Sequence, residues 1–264
     1  GDRDLVAYAK PLPPLAETTL DPHDSPKSSD NHTVMVYRTA PQKLSEYGLF
    51  TGNGSTQEPV SGVIPYALNT TLFSDYATKY RFLRLPDGAA IKCTANGPLD
   101  FPEGTLIAKT FAYPHDMAAP ERGERLLETR IEFKQEGQWY GYSYAWNDAQ
   151  TEATLVLGGQ EVDVSWKDTD GSIKSNHYEI PNANQCISCH SSNKKYVPIG
   201  PTALNMNREF AYASGNKNQL EHLADQGALE GLSKNMPAMP VAEDPASGSL
   251  DHRARAWLHV NCAH

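Results

Sequence analysis

Cys186-Ile187-Ser188-Cys189-His190 places two thiols and an imidazole within five residues. Two thiols separated by two residues are spaced to add across the two vinyl groups of a haem. A histidine directly after the second thiol then lies beneath the iron as an axial ligand. The same residue types admit other chemistry. A redox thiol pair would need a βαβ setting and a helix N-terminus to lower the thiol pKa, and the surrounding sequence has neither. Zinc is the serious competitor: Cys186, Cys189, Cys262 and His264 complete a Cys₃His set. Structural zinc pairs usually lie closer together, and that set leaves His190 without a role.

An iron held by His190 needs a sixth ligand or a deliberately open position. Met236-Pro237 and Met239-Pro240 lie in the loop "NMPAMPVAEDP", between two expected helices, where a thioether ligand is expected. A thioether raises the haem potential relative to a second imidazole. The competing role for either methionine is filling a gap against apolar surface. Met206, His222, His252 and His259 are further candidates for the sixth position. The chain closes on "VNCAH", in which Cys262-Ala263-His264 is the start of a second motif of the same kind. The expectation is that the native protein continues past His264. If it ends there, Cys262 is available for a disulfide with Cys93.

The elements that must position these groups change character along the chain. Residues 1–33 are rich in Pro, Ser, Thr and Asp and are expected to form an extended arm or linker. Residues 34–180 are expected to be a β-rich domain, an antiparallel sandwich or barrel. "KYRFLRL" (Lys79 to Leu85), "TLIAKTFAY" (Thr105 to Tyr113), "LLETRIEF" (Leu126 to Phe133) and "QWYGYSYAW" (Gln138 to Trp146) alternate or are rich in β-branched and aromatic residues. Glu152 to Trp166 is expected to be a hairpin around Gly158-Gly159. Asp75, Lys79, Glu128, Arg130 and Asp148 are candidates for an acid–base cluster, though their spacing matches no known catalytic arrangement.

Residues 181–264 are expected to form a small all-α, cytochrome c-like domain. One helix is expected within Asn218 to Leu232, stopped near Gly227. A second is expected from Ser249, its N-cap, with Leu250, Ala254, Trp257 and Leu258 as its apolar stripe.

Bulk properties narrow the partners. The 264-residue chain carries a formal charge of −9 and has no basic cluster, which argues against nucleic acid or an anionic membrane surface. No apolar run approaches the ~20 residues of a membrane-spanning helix. Four cysteines are too few for a disulfide-stapled miniprotein.

The blocks "KLSEYGLF", "GVIPYALNTTLFSDYATKYRFLRLP", "LDFPEGTLIAKTF", "YAWNDAQTEA", "NANQCISCHSS", "PIGPTALNMN" and "RARAWLHVNCAH" resemble, in the same order, a family of bacterial secreted dihaem c-type cytochromes of uncharacterised function. Members are often encoded beside a parallel β-helix protein. The resemblance covers Lys43 to His264. It implies a β-rich N-terminal domain, a first haem motif at Cys186–His190 and a second beginning at Cys262, whose closing Cys and His are absent here. The expected function is electron transfer outside the cytoplasm, in the periplasm or beyond it, with a redox protein as partner. Two alternatives are a dihaem oxidoreductase with an open-site haem and a zinc-stapled extracellular binding module.

Overall fold

A computed structural model describes residues 40–93, 99–182, 185, 190–192 and 195–262. The chain divides into Gly1–Asn31 and His32–His264, and every described residue belongs to the second unit. The arm expected at 1–33 therefore lies outside the described residues, as do Cys186 and Cys189.

The alternating stretches form strands, and the expectation of a mainly β, antiparallel fold holds. The strands are β1 (Val63–Pro65), β2 (Thr78–Arg84), β3 (Ile91–Lys92), β4 (Leu106–Pro114), β5 (Glu124–Gln135), β6 (Gln138–Trp146) and β7 (Ala153–Leu155). All but β3 make one open antiparallel sheet in the order β1-β2-β4-β5-β6-β7. Glu136 and Gly137 join β5 to β6 with positive φ at both positions, the backbone that suits a two-residue hairpin.

Side chains alternate between the two faces of this sheet, and the faces differ. One is mainly apolar, with Thr110 and Thr129 hydrogen-bonded to each other at 2.7 Å within it. Leu106, Ala108 and Ala112 of β4, Ile131 and Phe133 of β5 and Tyr144 of β6 pack against Leu44, Tyr47 and Leu49. The Tyr47 and Tyr144 hydroxyls meet at 2.9 Å, and Tyr144 donates to the Pro41 carbonyl at 2.8 Å. The opposite face has apolar packing only at its two ends, with a band of charged residues between them.

At one end of that face Phe111, Tyr113 and Leu127 pack on a two-stranded ribbon, β8 (Gln160–Lys167) and β9 (Ile173–Ile180), through Val164, Trp166 and Tyr178. This ribbon is the nearest feature to the expected second layer of a sandwich. The expected hairpin around Gly158-Gly159 does not form. β7 pairs with β6 and β8 pairs with β9, so the chain changes sheets at these glycines. Gly159 has φ +75°, and a Cβ there would stand 2.8 Å from the Ile180 carbonyl oxygen. A side chain could not follow the chain through that crossing.

Beyond residue 181 come β10 (Ser191–Ser192), β11 (Lys195–Tyr196), α1 (Ala203–Met206), β12 (Glu209–Tyr212), β13 (Gly215–Asn218), α2 (Gln219–Asp225), β14 (Leu229–Glu230) and α3 (Leu250–Cys262). The described residues of this region thus mix short helices with hairpins. The helix expected to stop near Gly227 ends at Asp225, and Leu229 and Glu230 then run parallel to Ile91 and Lys92 of β3. Met206, Leu220, Leu223 and Leu229 then share one apolar cluster with Leu83 and Ile107, at the other end of the sheet face.

Two buried amides tie the regions together. Gln219 accepts from the Ala67 N–H at 2.6 Å and donates to the Ala67 and Met206 carbonyls. Asn205 accepts from the Thr70 N–H and donates to the Thr70 carbonyl, both at 2.9 Å. Each amide hydrogen-bonds loop backbone of a distant segment.

The closing helix forms as expected, with Ser249 Oγ accepting from the His252 N–H. Its stripe is corrected. Leu250, Trp257 and Leu258 are exposed, and Ala256 and Val260 are the buried positions. Among the described residues no helix is long and apolar enough to cross a membrane.

Candidate functional site

The candidate site is built on His190. The Val197 N–H donates to the His190 carbonyl at 2.8 Å, which closes the short β10–β11 hairpin beside the imidazole. The ring is buried, with 5 % of the residue exposed. Its Nδ1 lies 3.0 Å from the Val197 carbonyl oxygen and 3.0 Å from Oε1 of Glu132. Both partners accept, so Nδ1 carries a ring proton that the two oxygens share. Tyr196 stacks on the imidazole at 4.9 Å with 14° between the rings, and its hydroxyl hydrogen-bonds to Glu132.

Gly141 of β6 makes room for this arrangement. A Cβ at that position would stand 2.5 Å from the Tyr196 hydroxyl. Gly141 is paired with Glu132 across the sheet, so the strand that neighbours the carboxylate also admits the tyrosine. A glycine inside a strand otherwise lacks packing, and close approach of another group is the usual reason for one.

Behind Glu132 lies the charged band. Arg81 of β2, Lys109 of β4, Arg130 of β5 and Ser143 of β6 form one row of paired residues across four strands. Three cations in a row repel, and the flanking positions offset part of this. Glu128 accepts from Arg130 through two bonds, 2.6 and 3.0 Å. It also accepts from the Tyr178 hydroxyl at 2.6 Å. Lys79, Lys109 and Arg130 all lie within 6 Å of the Phe111 ring centroid, Arg130 at 4.4 Å, within cation–π range.

Burial shifts the ionisable groups of this band. It pushes Glu132 up to about 7, opposed by the charges of Lys109 and Arg130 and by the Tyr196 hydrogen bond. Lys109 is pushed down to about 8, chiefly by burial, with Arg130 and Arg81 adding to the effect and Glu132 and Glu128 opposing it. Lys79 is pushed down to about 7 by burial and by its cationic neighbours. Burial also lowers Arg81 from the usual guanidinium range.

The sequence candidates meet this geometry unevenly. Cys186, Cys189 and His264 lie outside the described residues. Cys262 is exposed at the end of α3, and it and Cys93 are both free, so the disulfide between them is not formed. Met236 is half-buried against the apolar cluster of Leu220 and Met206, and its carbonyl accepts from Asn207 at 2.6 Å. Met239 is half-buried, and its N–H donates to the Leu204 carbonyl at 2.8 Å. Met206 is a core residue. His222 stacks on Tyr212 at 3.7 Å, while His252 and His259 are exposed on α3.

Of the five acid–base candidates, Lys79, Glu128 and Arg130 share the charged band. Asp148 instead pairs with Arg125 at an exposed edge. Sequence reasoning missed Glu132, Lys109, Arg81 and Tyr196. A signal was present: Glu128, Arg130 and Glu132 are charged at alternate positions of a long strand, which makes one whole face polar.

No group of three or more His, Cys, Asp and Glu side chains among the described residues is arranged to hold a metal ion. Comparison with known protein families, with characterised proteins and with solved structures gives no match to this chain.

Proposed function

We propose that the chain is a c-type cytochrome that carries single electrons outside the cytoplasm. In this reading Cys186 and Cys189 form thioethers to one haem, and His190 ligates its iron through Nε2. The observation that carries the proposal is the anchoring of His190 Nδ1 by Val197 and Glu132 at 3.0 Å each. Metal-ligating histidines characteristically donate their second nitrogen to a carbonyl or carboxylate, which fixes the tautomer and strengthens the ligand. Stacking on Tyr196 holds the ring plane. The donor set thus fits a histidine that ligates iron.

When bound, the haem supplies the one-electron chemistry, and the protein supplies ligation, burial and orientation. Met239 and Met236, half-buried in the Pro-rich loop before α3, are the proposed sources of a thioether at the sixth position. The helices α1 to α3 are the proposed counterpart of a cytochrome c-like helical unit, here sharing its core with the β sheet. Cys262, exposed at the end of α3, is the proposed first anchor of a second haem. Covalent attachment of this kind takes place outside the cytoplasm, which sets the compartment and makes a redox protein the partner.

Haem-stained denaturing gels test the attachment. The wild-type chain, produced with export and haem-maturation machinery, should stain, and the Cys186→Ala/Cys189→Ala double variant should not. His190→Ala should convert a low-spin spectrum to a high-spin one. Staining of the double variant would end the attachment proposal. A wild-type haem that is high-spin and accepts added ligands would replace the carrier with an open-site oxidoreductase.

A further inference from the structure

α3 packs on the protein through Ala256 and Val260, while Leu250, Trp257 and Leu258 are 73 %, 40 % and 52 % exposed. At 3.6 residues per turn these three share one stripe with the exposed Ala254. The stripe lines an open groove of about 470 Å³ that Ala242 and Glu243 also line. Large apolar side chains grouped on an exposed face mark a contact surface.

The order of residues along the stripe narrows the partner. Leu250, Ala254 and Leu258 follow at intervals of four, so the stripe reads the same in both directions about Ala254. Asp251 and Arg255 stand on one flank of it, paired at 2.9 Å, with both side chains more than half exposed. A second α3, reversed against the first about a two-fold axis at Ala254, sets Leu250 of each copy against Leu258 and Trp257 of the other. It also brings Asp251 of each copy within a helical turn of Arg255 of the other, on the same flank. A parallel pair would put these charges on opposite flanks and make no such pairing. Arg253, on the other flank, is turned back to the Ala242 carbonyl at 2.9 Å.

The geometry points to a second copy of this chain as the partner of α3, docked antiparallel through Leu250, Ala254, Trp257 and Leu258. A two-fold contact needs a surface complementary to itself, and this stripe with its flanking charges is one. Ala254 on the axis leaves room for the two helices to approach. A helix of 13 residues is about 20 Å long. The contact is therefore small for a specific interface, with a Kd on the order of 10 μM, and dilute protein is monomeric. The surface does not depend on the haem reading.

Sedimentation velocity tests it on the chain as produced, with reductant present so that Cys262 cannot link copies. The mass should rise from one chain towards two between about 1 and 200 μM. Ala254→Glu sets two like charges on the axis and should hold the chain monomeric throughout. Asp251→Arg and Arg255→Asp should each weaken association about tenfold alone. An equal mixture of these two variants should restore it, because each supplies the charge the other lacks, and restoration also shows that both are folded. A chain that stays monomeric at about 200 μM would overturn the proposal and leave the face to a different partner. A dimer that survives Ala254→Glu, or a mixture that associates no better than either variant alone, would equally overturn it.

Discussion

The two faces of the six-stranded sheet are made by the same strands under opposite chemistry. On one, Leu106, Ala108, Ile131, Phe133 and Tyr144 pack in an apolar and aromatic cluster around the hydrogen-bonded Thr110 and Thr129. On the other, apolar clusters at the two ends enclose the row Arg81, Lys109, Arg130 and Ser143, with Glu128 and Glu132 beside it. The first face stabilises by burial, at about 25 cal/mol per Å² of apolar surface. The second gives up such stabilisation at its centre, because buried charges cost unless each is paired. The cost falls where the sheet supports His190. Both faces bury apolar clusters, and the charged band interrupts that burial only at the centre of the second.

The largest effect should come from breaking the pairing on the charged face. Glu128→Ala leaves Arg130 and the Tyr178 hydroxyl without their acceptor and should cost about 3–5 kcal/mol in urea unfolding. A loss under 1 kcal/mol would mean that the band is solvated. On the apolar face Ile131→Ala should cost about 2–5 kcal/mol and leave the environment of His190 unchanged by NMR.

Gly141→Ala is expected to cost about 1–3 kcal/mol. Unlike Ile131→Ala, it should shift the His190 ring resonances, because the new methyl displaces Tyr196. An unshifted ring would break the link between β6 and the imidazole.

The pH dependence separates the faces more gently. Glu132 is raised to about 7, so the folded state holds its proton between the ordinary glutamate range and pH 7. The stabilisation from that held proton is full at low pH and fades as pH rises to 7. Lys79 and Lys109 are lowered to about 7 and 8, so the unfolded chain binds more protons between there and the ordinary lysine range. Stability rises with pH across that interval. The urea midpoint should therefore dip near neutrality. Lys109→Met should flatten the alkaline limb, and Glu132→Gln the acidic one.

The smallest effect belongs to α3. Leu258→Ser should change stability by no more than about 0.5 kcal/mol, since this leucine is exposed. A larger loss would restore the stripe read from the sequence.

What was legible in the sequence followed from local rules. β2, β4, β5 and β6 alternate with period two, and their turns carry Gly at the required positions, so their strands could be read directly. The β7–β8 crossing could not be read, because a Gly-Gly between two strand-like runs signals a hairpin unless the next strand's partner is known. Leu229 fits a helical spacing after Leu220 and Leu223, yet pairs with β3 across more than a hundred residues, a contact that no local pattern contains. The α3 stripe failed for a related reason: Ala256 and Val260 are the positions that meet the protein, and larger residues on the other side dominate the apparent pattern.

The site divides in the same way. His190 stood out through its motif, while Glu132 is distant in sequence and comes to it through the sheet, and Tyr196, close in sequence, is turned back onto it by the short hairpin.

The most direct test of the account is the absorption spectrum and intact mass of the chain produced with its export and haem-maturation machinery. The account predicts a c-type α-band with a mass raised by covalent haem at Cys186 and Cys189, and His190 as iron ligand. A chain without a Soret band, at its unmodified mass and holding zinc, would contradict it and leave the anchored imidazole as part of a binding module.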